Sequence, residues 1–140
     1  MVFFISERKK MNVLQVGEKA PAFSLLGSDG KKYSLKDFKG KKIVLYFYPK
    51  DDTSGCTKEA CSFRDNLSAI TKKGAVVIGI SPDGIKAHEK FISKYDLNFL
   101  LLSDEEKTIL QKYGVWKEKS MYGRKYMGVE RTTFIIDEKG

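Results

Sequence analysis

The chain has 140 residues, a mass of 15.9 kDa and a formal net charge of +8. This length suits one domain, and 41% hydrophobic with 31% charged residues is typical of globular proteins rather than of disordered chains. The longest apolar run, residues 43–48, is six residues long, far short of the ~20 that span a bilayer. We therefore expect a single globular domain that has no membrane partner.

The basic charge comes mainly from lysine, since 22 of the 26 basic residues are lysines and four are arginines. Nucleic-acid recognition favours arginine forks, and these lysines are spread along the chain, so no nucleic-acid partner is expected. The apolar stretch at the N-terminus is too short for a secretory signal and precedes its basic residues. We expect a cytoplasmic protein, in which thiols stay reduced.

The N-terminal half predicts an extension, a hairpin and a buried strand. Residues 1–16 form the predicted extension, and residues 17–140 the predicted domain. Residues 22–26 and 32–35 flank a turn signal at 28–31, which predicts a β-hairpin. Residues 43–48 form a continuous apolar run, mostly β-branched or aromatic, which is typical of a central strand buried on both faces.

The rest of the chain alternates between helix and strand. Helices are predicted at 55–74, 85–95 and 104–113, strands at 76–80, 99–102 and 131–136, and a long loop at 114–128. This order predicts an α/β fold with a mostly parallel sheet. The only histidine, His88, is expected on a helix surface, and Asp51 and Asp52 are expected in a solvated loop.

Chemistry-bearing residues gather after the central strand, where ligands collect in parallel sheets. Cys56 is expected in the first turn of the following helix, whose positive end stabilises a thiolate. Thr53 precedes it and is placed to donate its hydroxyl to the sulfur or to a molecule bound there.

Cys61 lies five residues later on the same predicted helix, which places the two cysteine Cα atoms ~8.5 Å apart. A disulfide needs less than ~7 Å, so the two can bond only if the first turns unwind, which Gly55 would ease. The spacing alone leaves three interpretations open: two unrelated cysteines, a redox pair, or a metal site, which lacks further Cys or His ligands.

The sequence PKDDTSGCTKEACSFRD at residues 49–65 resembles the active-site signature of peroxiredoxins, most of all that of the bacterioferritin comigratory protein, or peroxiredoxin Q, branch. The resemblance runs from about Val13 to the end of the chain and includes GEKAP at 17–21, YGVW at 113–116 and RTTFIID at 131–137. It implies a thioredoxin-like fold, a central sheet flanked by helices, and reduction of hydroperoxides by a thiol without metal or cofactor. Members of this branch are often monomeric, so a monomer or weak dimer is expected.

The resemblance implies separate roles for the two cysteines. Cys56 would be the peroxidatic cysteine, which peroxide oxidises to a sulfenic acid. Cys61 matches the resolving cysteine of this branch, which condenses with it to form an intramolecular disulfide. A thioredoxin or a similar dithiol would then reduce that disulfide.

The resemblance also implies roles for four supporting residues. Thr53 would hydrogen-bond the peroxide and Pro49 would cover the thiolate from water. Arg131 would stabilise the thiolate and the transition state, and Glu59 would orient an arginine. Ser54 stands where many members have proline. The family continues beyond the position of Gly140 with another strand and a terminal helix, which are expected to be missing here.

Two other functions remain as alternatives. A dithiol–disulfide oxidoreductase of the same fold predicts a C-x-x-C pair, whereas this chain has C-x₄-C. A non-enzymatic basic binding module would rest on the +8 charge and would bind nucleic acid in a salt-dependent way.

Overall fold

The computed structural model describes residues 2–4 and 14–140. For residues 2–4 and for Met121 it describes the backbone alone. Met1 and residues 5–13, which belong to the predicted extension, lie outside the described residues. The strands in the described part are β1 Val2–Phe4, β2 Ser24–Gly27, β3 Lys32–Ser34, β4 Lys42–Phe47, β5 Ala75–Ser81, β6 Leu100–Ser103, β7 Trp116–Met121, β8 Arg124–Val129 and β9 Thr132–Ile136. The helices are α1 Ser54–Lys72, α2 Ile85–Tyr95 and α3 Thr108–Lys112, with a short 3-10 helix at Leu35–Phe38.

Seven strands form one mixed sheet in the order β1-β9-β4-β5-β6-β2-β3. The strands β4, β5 and β6 are parallel, because α1 and α2 each carry the chain back across the sheet between them. The α/β class with helices flanking a central sheet is confirmed, as is the β2–β3 hairpin. No helix in the described part of the chain is long and apolar enough to cross a membrane.

The prediction of a mostly parallel sheet is wrong outside those three strands. The pairs β4–β9, β2–β6, β2–β3 and β1–β9 are all antiparallel. After α3 the chain passes through a hairpin rather than another crossover helix, so it enters β9 at the edge where β4 ends, with Thr132 opposite Phe47. Arg131, which directly precedes β9, therefore lies at that edge.

The apolar run at 43–48 is buried on both faces of the sheet, as predicted. Ile43, Leu45 and Phe47 pack with residues of α3 and β9 in one hydrophobic cluster. Tyr46 and Tyr48 face the other cluster, to which α1 contributes Cys56 and Ala60 and α2 contributes Phe91. Because strand side chains alternate between faces, one strand supports both clusters and also leads directly into the loop before α1.

The loop predicted at 114–128 is instead largely a hairpin of β7 and β8, in a separate two-stranded sheet. Its turn residues Tyr122 and Gly123 both have positive φ, 52° and 77°, as a two-residue turn of type I′ requires. The strands are rich in lysine and mostly exposed, so they lack the apolar alternation that identifies a half-buried strand. The helix predicted at 104–113 is also shorter, since α3 begins only at Thr108.

Gly79 in β5 should be intolerant of a side chain. A Cβ there would lie 2.8 Å from both Tyr46 Cζ and Leu101 Cδ2, so Gly79→Ala overpacks the cluster that holds Cys56. We expect a loss of about 1–3 kcal/mol in the free energy of unfolding, measured by urea denaturation. Gly84→Ala is the control, since its Cβ would meet nothing closer than 3.5 Å; because Gly84 is the N-cap of α2, we expect a loss of less than about 1 kcal/mol there. Equal losses in the two variants would contradict this packing.

Candidate active site

The loop between β4 and α1 forms the centre of the candidate site. Pro49 lies two residues after the end of β4 and is half-buried. Thr53 has extended backbone angles, φ −89° and ψ 157°, and is the N-cap of α1. Its carbonyl accepts the first intrahelical bond from the Thr57 N–H at 2.8 Å. The following turn therefore presents its free N–H groups, and the positive end of the helix, at the carboxyl edge of β4.

Thr53 uses its hydroxyl within the loop. The hydroxyl donates to the Lys50 carbonyl at 2.9 Å, whereas the sequence suggested the Cys56 sulfur or a molecule bound there as its acceptor. A carbonyl oxygen only accepts, so the single hydroxyl proton is committed to it. The lone pairs of Thr53 Oγ1 remain, and they can accept a hydrogen bond from a molecule bound beside the loop.

Cys56 lies in the first turn of α1 and is 1% exposed. Its sulfur accepts a hydrogen bond from Arg131 Nη2 at 3.2 Å. The guanidinium and the start of the helix therefore both present positive charge to the same sulfur.

Arg131 is held by a second contact at the other arm of its guanidinium. Its Nη1 donates to Glu59 Oε1 at 2.8 Å, so the planar fork bridges a carboxylate and the cysteine sulfur. Burial lowers the pKa of Arg131, but Cys56 and Glu59 more than offset this, and its pKa is raised overall. Burial raises the pKa of Glu59, and the hydrogen bond from Arg131 opposes that shift. Glu59 lies about one helical turn after Cys56 on α1, and its carboxylate therefore holds the Arg131 guanidinium beside the sulfur.

Gly55 leaves space for this fork. A Cβ at Gly55 would lie 3.1 Å from Arg131 Nη2 and 3.8 Å from its Cζ. The sequence suggested Gly55 only as a residue that eases unwinding, because the approach of an arginine 76 positions later leaves no local pattern. Glycine at this position therefore allows the close approach of Arg131 to the start of α1.

Cys61 is half-buried on the same helix, and both cysteines are free. Because α1 is continuous over Ser54–Lys72, the two thiols are on an intact helix and unable to bond in this state. An open groove runs beside Cys61 and is lined by Asp52, Ser54, Gly55, Thr57, Lys58, Lys94 and Tyr95. Cys61, unlike Cys56, borders a surface from which a partner could approach.

His88 and Asp51 are buried, so the predictions of a helix-surface histidine and a solvated aspartate are wrong. His88 is 0% exposed and Asp51 9%, and His88 Nδ1 lies 2.6 Å from Asp51 Oδ2. The sequence signal was the helical spacing that puts His88 on the same face as Phe91 and Ile92, which pack in the core. Asp52 is exposed as expected and pairs with Lys94 at 2.9 Å.

No group of three or more His, Cys, Asp or Glu side chains among the described residues has the arrangement to hold a metal ion. The positive charges at the thiol come instead from the chain itself. A buried cysteine at a helix N-terminus, paired with a fixed arginine fork, is arranged for nucleophilic chemistry by sulfur.

Comparisons with known proteins identify the family to which the chain belongs. Residues 16–140 match the model of the AhpC/TSA family. A putative peroxiredoxin Bcp of Coxiella burnetii is 58% identical over 127 residues, covering 91% of this chain and 84% of that protein. Peroxiredoxin Bcp of Bacillus subtilis is 50% identical over 127 residues, covering 91% of this chain and 81% of that protein.

Solved structures give the same result. Peroxiredoxin Q of Xanthomonas campestris is similar with a TM-score of 0.80 and 39% identity, over 84% of this chain and 75% of that one. A PrxQ mutant of Xylella fastidiosa has a TM-score of 0.81 and 33% identity, over 96% and 82% of the two chains. The fold is therefore the thioredoxin-like fold of these peroxiredoxins.

The protein is a thiol-dependent peroxidase. It belongs to the AhpC/TSA family, and its relatives place it in the Bcp, or peroxiredoxin Q, branch. This confirms the resemblance on the signature at residues 49–65, and it does not support the dithiol oxidoreductase or the basic binding module.

Gly55→Ala should slow the reaction of Cys56 with peroxide without lowering the free energy of unfolding. Its methyl group would displace the Arg131 guanidinium by a few tenths of an ångström from the Cys56 sulfur, and we expect the rate constant for reaction with hydrogen peroxide to fall about tenfold. The free energy of unfolding should stay equal or rise by less than about 1 kcal/mol, because glycine weakens helices. Stopped-flow fluorescence and urea denaturation measure the two effects.

Ser54→Ala is the matched control, because Ser54 is the exposed neighbour of Gly55 in the same turn. Its reaction with peroxide should stay within about twofold of the wild type. If Gly55→Ala also reacts at that rate, the close approach of Arg131 does not set the reactivity of Cys56.

Proposed function

We propose that Cys56 is the peroxidatic cysteine and that it reduces hydrogen peroxide and organic hydroperoxides. The observation that carries this assignment is the 3.2 Å contact between Arg131 Nη2 and the Cys56 sulfur at the start of α1. A 38% identical bacterioferritin comigratory protein of Xanthomonas campestris has been studied for alkyl peroxide reduction in trapped intermediate and ligand complexes. That relative supports organic hydroperoxides as substrates here.

In the first step, the Cys56 thiolate attacks the oxygen of the peroxide that carries the hydrogen. An S–O bond forms while the O–O bond breaks, so sulfur is oxidised to a sulfenic acid and the second oxygen leaves with the electron pair. A proton from solvent converts that leaving group to water or an alcohol. Negative charge moves from sulfur to the leaving oxygen, so the groups that stabilise it must be fixed before the attack.

Arg131 and the N–H groups at the start of α1 supply this stabilisation. The Arg131 guanidinium is held by Glu59 at 2.8 Å, so it needs no reorganisation during the reaction. Thr53 Oγ1, whose proton goes to Lys50, accepts the O–H of the bound peroxide and orients its reactive oxygen. Pro49, half-buried at the start of the loop, limits access of water to the thiolate.

In the second step, the thiol of Cys61 condenses with the Cys56 sulfenic acid. A disulfide forms and the sulfenic oxygen leaves as water. Because both residues belong to the intact helix α1, its first turns must unwind to bring the sulfurs together. This intramolecular disulfide protects Cys56 from further oxidation to sulfinic acid.

A thioredoxin-type dithiol then restores both thiols by exchange. A thiolate of the reductant attacks one sulfur of the Cys56–Cys61 disulfide, and its second thiol resolves the mixed disulfide, so two electrons pass to the peroxidase. The groove beside Cys61 gives access for that attack. This makes Cys61 the proposed point of entry for the reductant.

Replacing each cysteine by serine tests the two roles. Cys56→Ser should have no peroxidase activity in an NADPH-coupled assay with thioredoxin and thioredoxin reductase, since it lacks the attacking sulfur. Cys61→Ser should lose turnover in that assay but still consume one equivalent of peroxide per chain in a single burst. Dimedone labelling of the Cys61→Ser product should mark Cys56, which shows that the sulfenic acid forms there.

Two outcomes would refute these roles. Turnover by Cys56→Ser at the wild-type rate would remove Cys56 as the peroxidatic residue. Undiminished thioredoxin-linked turnover by Cys61→Ser would keep Cys56 in its role but show that another thiol resolves the sulfenic acid.

A further inference from the structure

The buried pair formed by Asp51 and His88 is not used by the mechanism above. The side chain of His88 is 0% exposed and that of Asp51 5%. Besides the 2.6 Å contact between them, His88 Nε2 lies 3.0 Å from the Leu102 carbonyl of β6. Ionisable side chains are rarely buried unless they are paired, so this pair replaces solvation with specific contacts.

The partners of the pair define where its protons lie. The Leu102 carbonyl only accepts, so His88 Nε2 carries a proton and donates it. The Tyr48 hydroxyl donates to Asp51 Oδ1 at 2.6 Å, and burial raises the pKa of Tyr48, which keeps that hydroxyl protonated. One more proton lies between His88 Nδ1 and Asp51 Oδ2. That proton makes the 2.6 Å contact between the two side chains a hydrogen bond, so the polar atoms of the buried pair are satisfied by partners in the core.

Asp51 joins the loop before Cys56 to three other elements. Its side chain contacts His88 of α2, which in turn contacts β6. Its backbone N–H donates to Asp83 Oδ2 at 2.6 Å, just after β5. Two positions before and after Asp51 in the loop are Pro49 and Thr53, the residues proposed to shield the thiolate and to orient the peroxide.

The adjacent residue, Asp52, makes a contrasting contact with the same helix. Its carboxylate accepts hydrogen bonds from Lys94 at 2.9 Å and from the Tyr95 hydroxyl at 2.7 Å, but it is exposed. Exposed ion pairs contribute little, whereas a buried carboxylate deprived of its partner is strongly unfavourable. Two consecutive aspartates therefore attach one loop to α2, one in the core and one on the surface.

We propose that Asp51 and His88 are positioning residues for peroxide reduction: their buried hydrogen-bonded pair holds the loop at 49–53 in the conformation in which Cys56 attacks peroxide. This inference rests on the roles proposed above for Cys56, Pro49 and Thr53. The attack needs the loop in place, whereas the condensation with Cys61 needs the adjacent turn of α1 to unwind. Loss of the pair therefore slows the first step and does not slow the second.

Stopped-flow kinetics on the full chain tests this proposal with hydrogen peroxide as the probe. In Asp51→Ala, the rate constant of Cys56 oxidation should fall about tenfold to a hundredfold, and disulfide formation should be as fast as in the wild type or faster. Asp51→Asn should restore most of the rate, because its amide accepts from Tyr48 and donates to a neutral His88 Nδ1. Asp52→Ala is the matched surface control, with a change of less than about fivefold.

Folding defects are distinguished by the amplitude of the burst. A misfolded fraction lowers the amount of Cys56 that reacts but leaves the rate constant of the remainder unchanged. If Asp51→Ala does not fold, Asp51→Ser provides the same comparison, because its short side chain loses the contact to His88 while a water can enter.

Histidine NMR gives a readout independent of activity, since His88 is the only histidine in the chain. In protein labelled with ¹⁵N-histidine, the Nδ1 chemical shift should change in Asp51→Ala, because Nδ1 loses its hydrogen-bond partner. The Nε2 shift should stay that of a protonated nitrogen in both proteins, because Nε2 donates to the Leu102 carbonyl.

Three results would overturn the proposal. These are Asp51→Ala reacting with peroxide within about twofold of the wild type, equal losses of rate in Asp51→Ala and Asp52→Ala, or the same Nδ1 chemical shift in Asp51→Ala and in the wild type. If one of these results is obtained and Cys56→Ser is inactive, only the positioning role is refuted. An active Cys56→Ser would instead refute the proposed function.

Discussion

The contact between the Arg131 guanidinium and the Cys56 sulfur is the interaction on which the active site depends. Sulfur is nucleophilic as the thiolate, but Cys56 is almost completely buried, where an unpaired negative charge is unfavourable. A fixed cation at 3.2 Å and the start of α1 together offset that cost. The same groups then stabilise charge on the leaving oxygen, so the arrangement that permits the thiolate also favours its reaction.

The topology of the sheet makes this contact possible. Cys56 follows β4, and Arg131 precedes β9, which runs antiparallel to β4. The end of one strand and the beginning of the other therefore meet at one edge, although the two residues are 75 positions apart. A parallel final strand would have begun at the opposite edge, and Arg131 would then lie far from the thiol. The departure from the predicted sheet is thus what assembles the site.

Features that depend on local sequence were predictable. The strand at 43–48 and the helix at 85–95 follow from their own apolar patterns, and the helix that carries the cysteines lies where the sequence predicts it. The cysteines and their spacing were visible, but their assignment as a redox pair needed the resemblance to peroxiredoxins. The intact helix between them agrees with the expectation that they are too far apart to bond before unwinding.

Features that depend on tertiary contacts were not predictable from local pattern. The hairpin of β7 and β8 is rich in lysine and mostly exposed, so no apolar period identifies it. His88 and Asp51 look like surface residues by type, and only the fold shows that each is the partner of the other. From the sequence, Gly55 reads as a residue that makes a turn flexible. Only the fold shows that Arg131 approaches it closely.

The most direct test of this account is the rate constant for oxidation of Cys56 by hydrogen peroxide when Arg131 is replaced. Arg131→Gln removes the charge, and Arg131→Lys keeps it but cannot contact both Glu59 and Cys56 with a planar fork. We expect rate constants about 10²–10³-fold lower in Arg131→Gln and intermediate in Arg131→Lys. A rate constant for Arg131→Gln within about twofold of the wild type would contradict the account.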